Sequence, residues 1–248
     1  MFRAKFDRVI SIGEQCGCAL YLRKHFLRFA SYPLDWIGGP DFGTRVDLIT
    51  RRFAGFLERE DLVFSEVTPD MKHDVWVNKV TGFHFVHDFD HGKAMDEAFP
   101  EVKRKYDRRI ERFFRHIDAA RRVLLVYWSR DKMVPAEELV PAQQRLSHFF
   151  GKDVYLLVIQ HDATGGGDGR RREALSEYVL RYVVDMHVGN SFTQPMADES
   201  VSDPIFSKIR CVGRRKMLFR SYMAKIVAAF VPGRERRRAV RKKLAGQM

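Results

Sequence analysis

Two stretches of this 248-residue chain, RRVLLVYWS at 121–129 and KDVYLLVIQ at 152–160, carry continuous apolar runs. A strand with one wet face alternates apolar and polar residues. An unbroken run belongs to a strand covered on both faces, as in parallel sheets whose crossovers lay helices on either side. A helical segment at 135–150 separates the two runs. A second, at 171–179, leads into RYVVDMHV at 181–188, and VISI after Arg8 supplies a fourth strand at 8–12. The expected class is therefore α/β, with a mostly parallel central sheet and helices on both faces. Residues 74–89 read as a hairpin insertion, VWVNK and FHFVHDF around a turn at Thr81-Gly82. Helices are expected at 16–28, 44–59 and 100–120. The last has Val102, Tyr106, Ile110, Phe113 and Ile117 on one stripe. The Pro- and Gly-dense segment 31–43 is expected to be a structured loop.

With 45% hydrophobic residues and 20 Phe the chain has material for a real core, which excludes a disordered protein. Three cysteines, an odd number, do not make a disulfide scaffold and point to a reducing, cytoplasmic setting. Neither a spanning helix nor a signal peptide is expected. The net charge is +12, but residues 209–248 hold 13 of the 44 Lys and Arg and a single acid, Glu235. Residues 1–208, a single catalytic-type domain by this reading, are balanced. A basic tail on a neutral body suggests attachment, and nucleic acid is not the expected partner. Residues 214–231 mix cations with Leu218, Phe219, Tyr222, Ile226 and Phe230, then RERRRAVRKK follows Pro232-Gly233. Either this helix packs on the sheet and ends in a solvated basic tail, or it lies on an anionic membrane surface.

Cys16 follows a strand and Gly13 and opens a helix, where free N–H groups favour a thiolate and could bind an oxyanion. Cys18 points elsewhere on that helix and reads as core. On an ideal strand His87 shares a face with Phe83, Phe85 and Phe89, where burial keeps an imidazole neutral and basic. Asp88 then points away from His87. The same alternation puts His84, Asp88 and Asp90 on one face as an alternative metal set. His161-Asp162, directly after a core strand, is a reserve base and orienter. The loop TGGGDGRRR at 164–172 matches no phosphate-binding spacing and reads as surface.

Several of these residues fall into a recognisable order. Ser11-Ile12-Gly13-Glu14-Gln15-Cys16 is followed by Leu22-Arg23-Lys24 and Leu27-Arg28, then Ser31, Pro33, Leu34, Asp35 and Trp36. His87-Asp88-Phe89 and Lys105-Tyr106 through Phe113 come later. Over residues 7–160 the chain resembles a bacterial family of papain-like cysteine peptidases. The resemblance implies Cys16 as nucleophile and His87 as base, and selects Cys16 over Cys18. Asp35, in a loop stiffened by Pro33 and Trp36, would orient His87 by triad logic, with Asp88 the alternative and loop bracing its structural role. Gln15 would support an oxyanion, though papain-like enzymes place that Gln further upstream. Papain-like enzymes also pair the Cys helix with an antiparallel barrel, an α+β alternative to the parallel sheet read above.

The expectation is a cysteine-dependent hydrolase, peptidase or acyltransferase with no cofactor. Its substrate would be an acyl, peptide or glycan-linked group, and it would be cytoplasmic and peripheral at the inner membrane face. The rival is a non-catalytic binding or scaffold protein of envelope or surface-glycan assembly.

Overall fold

In a computed structural model, residues 2–129, 133–161, 170–184 and 199–244 are described. The chain opens with β1 (Arg8–Ser11), α1 (Cys16–Lys24), β2 (Ile37–Gly38), α2 (Phe42–Thr50), β3 (Leu62–Val67), β4 (His73–Asn78) and β5 (His84–Asp90). It continues through α3 (Met95–Asp118), β6 (Val123–Ser129), α4 (Ala136–Phe150), β7 (Val154–His161), β8 (Arg170–Ala174) and β9 (Val179–Val184). The C-terminal part is α5 (Glu199–Ser207), α6 (Arg214–Ala229) and α7 (Arg234–Leu244).

The central sheet has the order β1-β6-β7-β9-β8. Its first four strands are parallel, in registers such as Ile10↔Leu125, Leu125↔Leu156 and Leu156↔Val179. Every residue of β6 and β9 is buried, as the unbroken apolar runs require. Alternate residues feed two cores. Ile10, Leu125, Tyr127, Leu156 and Val158 face α2, α3, α4 and the hairpin insertion. Val9, Leu124, Val126, Trp128, Leu157 and Ile159 face Cys18 and Leu22 of α1 and Phe206 of α5.

The helix expected at 171–179 is instead an edge strand, β8, antiparallel to β9. Its side chains suit an edge: Glu173 accepts from Arg171 Nε at 2.6 Å and from Arg181 Nε at 2.6 Å. Charge on an exposed edge blocks pairing with other chains. Here the pairing offered by β9 outweighs the helix preference of Arg, Glu, Ala and Leu. The hairpin is part of a four-stranded antiparallel sheet, β2-β5-β4-β3.

Two helices stop short of their expected ends. α1 closes with Leu27 N–H on Leu22 O (2.8 Å) and Phe26 N–H on Arg23 O (3.1 Å), and Phe26 has φ 56°. α2 closes with Phe53 N–H on Leu48 O (2.8 Å) and Arg52 N–H on Ile49 O (3.0 Å), and Arg52 has φ 55°. Both are Schellman caps built on residues other than the usual glycine. No helix among the described residues is long and apolar enough to cross a membrane.

Candidate active site

The carboxyl ends of β1, β6 and β7 form one edge of the central sheet, where sites in open α/β sheets form. Ile12 N–H and Glu14 N–H carry the β1 ladder onward, to Val126 O (2.8 Å) and Trp128 O (3.1 Å). A Cβ on Gly13 would lie 2.7 Å from Cys18 Cβ and 3.3 Å from the Trp128 backbone. Glycine is needed here because α1 crosses the strand end closely, which explains the strand–Gly–helix signal.

Cys16 is the first residue of α1, with Gln15 as an extended N-cap whose side chain makes no capping bond. Cys16 is half-buried, whereas Cys18 and Cys211 are buried. Burial pushes the Cys16 thiol up, against the pull of its own N–H and that of Gly17. The helix terminus therefore acts as expected, but desolvation outweighs it. Burial pushes Cys18 up to about 12, chiefly by desolvation and in spite of Ser11 beside it. Its Sγ donates to Val126 O at 3.6 Å, so Cys18 is core, as expected. Cys211 is likewise pushed up to about 12 by burial.

Strand β5 departs from its ideal alternation. Trp76 pairs with Phe85 and Asp74 with Phe89, so three residues of β5 face Val75 alone. This bulge turns His87 outward and Asp88 inward. His87 is exposed, and its ring meets that of His73 edge-on at 5.9 Å. Partial desolvation lowers its pKa, His73 adds to this, and Asp88 and Asp70 oppose it. No hydrogen bond or ring contact joins His87 to Cys16 among the described residues, and neither contributes to the other's pKa shift. The expected burial of His87 among phenylalanines is thus corrected by the bulge. Asp88, 3% exposed in its side chain, pairs with Lys105 Nζ (2.7 Å) and accepts from Tyr106 Oη (2.7 Å), fastening β5 to α3.

Asp35 is fully buried and serves the loop. Its Oδ2 accepts from Arg28 Nε (2.8 Å) and Tyr32 N–H (2.9 Å), and Arg28 also donates to Ser31 Oγ (2.7 Å). Burial pushes the Asp35 carboxyl up while Arg28 pulls it down. Among the described residues the hydrogen bonds and ion pair of Asp35 go to Arg28 and Tyr32 and none to His87, so these bonds brace the loop where an orienting role was expected. The alternative metal set also dissolves: the bulge separates Asp88 from His84 and Asp90. Among the described residues no three His, Cys, Asp or Glu side chains gather as a metal requires.

The sequence offers no signal for two other features of this edge. Glu14, 5% exposed, accepts a 2.6 Å bond from Ser129 Oγ at the end of β6. Arg45, fully buried, donates to Glu14 O (3.1 Å), Ile37 O (3.4 Å) and Pro40 O (2.9 Å), clamping the Cys16 loop to β2. His161, the reserve base, ends β7 one residue beyond Gln160, which pairs with Ser129. It alternates with Ile159 and Leu157, so it points to the sheet face that α1 covers. Its Nδ1 lies 3.3 Å from Val184 O. Asp162 and residues 164–169 of the glycine-rich loop lie outside the described residues, as do 185–188 of the last expected strand.

A family model described as "Putative papain-like cysteine peptidase" matches residues 7–163. The chain belongs to this family. The match runs from β1 through β7 and includes Cys16, Asp35, His87 and His161, but not the basic C-terminal helices. Over 142 residues the chain is 27% identical to Uncharacterized protein R408 of Acanthamoeba polyphaga mimivirus, covering 51% of this chain and 62% of that protein. The chain thus spans less than two thirds of that viral protein. No solved structure matches the chain.

Proposed function

We propose that this family member is a cysteine-dependent acyl hydrolase or acyltransferase with Cys16 as its nucleophile. One observation carries this. Of three cysteines, only Cys16 is partly open, at a helix N-terminus with two N–H groups against its thiol, on the carboxyl edge of a parallel sheet. In the proposed step Sγ attacks a carbonyl carbon and its proton passes to an imidazole. The oxyanion is held by backbone N–H groups at the α1 terminus, with Gln15 beside them. The leaving amine or alcohol takes the proton, and water or an acceptor hydroxyl then releases the acyl group.

For the base we favour His161 over His87. It lies at the same sheet edge as Cys16, two strand spacings or about 10 Å from β1, and points to the face on which α1 packs. A bond from Nδ1–H to Val184 O would leave the basic lone pair on Nε2. The same proposal sets the protein in a reducing cytoplasm, acting on a peptide, acyl or glycan-linked substrate at the inner membrane face.

The test is the pH dependence of iodoacetamide labelling, resolved by mass spectrometry. Cys16 is expected to label in the native protein, and Cys18 and Cys211 only after unfolding. His161→Ala should slow Cys16 labelling near neutral pH, and His87→Ala should not. Slowing by His87→Ala alone would return the base to His87. Labelling indifferent to both would refute a thiol–imidazole pair. It would support the second function, a non-catalytic binding or scaffold protein, which the upward push of burial on the Cys16 thiol favours.

A further inference from the structure

Helix α6 leaves the body of the protein with its apolar residues uncovered. Its first turn is anchored: Arg214 Nη1 donates to Ser207 O (2.9 Å) and Ile209 O (3.1 Å). Beyond that turn its neighbour is α7, which folds back along it. The buried residues of α6 are small, Ala224 and Ala228. The large ones face outward, with Phe219 64%, Tyr222 63% and Phe230 84% exposed. The alternative in which this helix packs on the sheet is therefore not what the fold adopts.

At 3.6 residues per turn, Phe219, Tyr222, Met223, Ile226 and Phe230 fall within an arc of about 100°. Arg220 and Lys225 stand on its two edges, and Ala224 and Ala228 lie on the opposite side. An apolar arc flanked by cations is the arrangement of a helix lying at a bilayer surface. The surrounding charge agrees: residues 209–248 contain 13 Lys and Arg against one acid, while residues 1–208 have no net charge. Met223 and Ile226 in this arc have no stacking face for nucleic-acid bases, whereas hydrocarbon accepts them together with the rings of Phe219, Tyr222 and Phe230.

We infer that α6, backed by α7, docks the protein on an anionic lipid surface, inserting the Phe219–Ile226–Phe230 face with Arg220 and Lys225 at headgroup level. This deepens the membrane placement proposed above and does not depend on Cys16 chemistry.

The experiment is co-sedimentation of the full chain with vesicles of phosphatidylcholine, with and without about one third phosphatidylglycerol. Wild type and Cys16→Ser are expected to partition alike, onto the anionic vesicles. Phe219→Ser with Ile226→Ser should weaken partition by about 100-fold, since each loses a buried apolar side chain. Arg220→Glu with Lys225→Glu should weaken it at least about tenfold, a cation near the surface being worth about fivefold. These are exposed sites, and circular dichroism checks that each variant folds. Absent partition, or equal partition onto neutral vesicles, would overturn the inference. So would binding that ignores the apolar pair and vanishes in high salt, the mark of a polyelectrolyte contact. A dimer in light scattering that the apolar pair abolishes would assign the face to a second copy instead.

Discussion

Replacing Asp35 separates a bracing carboxylate from a catalytic one. Asp35→Ala removes the acceptor for Arg28 Nε, in a part-buried bond, and for Tyr32 N–H, in a buried one. The Arg28 side chain, 9% exposed, keeps Ser31 Oγ and the face of Trp36, 5.3 Å away, but no counter-charge. Breaking a buried pair by removing one partner costs about 3–5 kcal/mol. The orphaned amide of Tyr32 belongs to the same disruption and is not simply additive. A loss of about 4 kcal/mol is a large share of the ~5–15 kcal/mol that holds a typical domain. It corresponds to a fall in Tm of about 8–16 °C for a chain of this size. Asp35→Asn keeps an acceptor oxygen in place. It still leaves Arg28 without a counter-charge, but because burial opposes the carboxylate's own charge that change should cost about 2 kcal/mol, less than Asp35→Ala. Urea and thermal unfolding by circular dichroism measure both variants, and Cys16 labelling under native conditions accompanies them. An Asp35→Ala protein within about 1 kcal/mol of wild type whose Cys16 had lost its reactivity would refute the bracing role. Asp35 would then act on the reaction.

Gly13→Ala forces a Cβ to 2.7 Å from Cys18 Cβ and should cost about 1–3 kcal/mol in urea unfolding, with altered Cys16 labelling as the loop shifts. Met71 is exposed with φ 57°. Met71→Gly should raise stability by about 0.5 kcal/mol, relief of left-handed strain partly offset by glycine's chain entropy, and an unchanged or lower urea midpoint would contradict this. The His116 pKa is held below its ordinary 6.5, first by desolvation and then by Arg8, Arg115 and Arg112. The folded state therefore binds fewer protons than the unfolded one, so the His116 contribution is full above pH 6.5 and is lost as pH falls through the folded pKa. His116→Gln should flatten that part of the stability–pH curve.

Features that depend on burial or on a short run of residues were legible in the sequence. The parallel core strands announce themselves because a strand covered on both faces has no place for polar residues. The Cys16 turn does so because a Cβ at position 13 would lie only 2.7 Å from Cys18 Cβ on the crossing helix, which leaves room for glycine alone. The basic tail is a matter of counting charge. Features set by partners distant along the chain were not. β8 became a strand because β9 offered a paired edge. The bulge in β5 turned His87 out, since register is decided between strands rather than within one. The ends of α1 and α2 rest on Phe26 and Arg52 in left-handed conformations that hydrogen bonding and packing impose and composition does not signal. By itself the sequence determined the layer architecture, the position of Cys16 and the charge asymmetry, all of which follow from local hydrophobicity and backbone sterics. Only the tertiary structure decided that His87 turns outward, that Asp35 and Asp88 are spent on Arg28, Lys105 and Tyr106, and that the apolar face of α6 is left open. Those outcomes depend on residues far apart in sequence meeting across a sheet edge or a helix face.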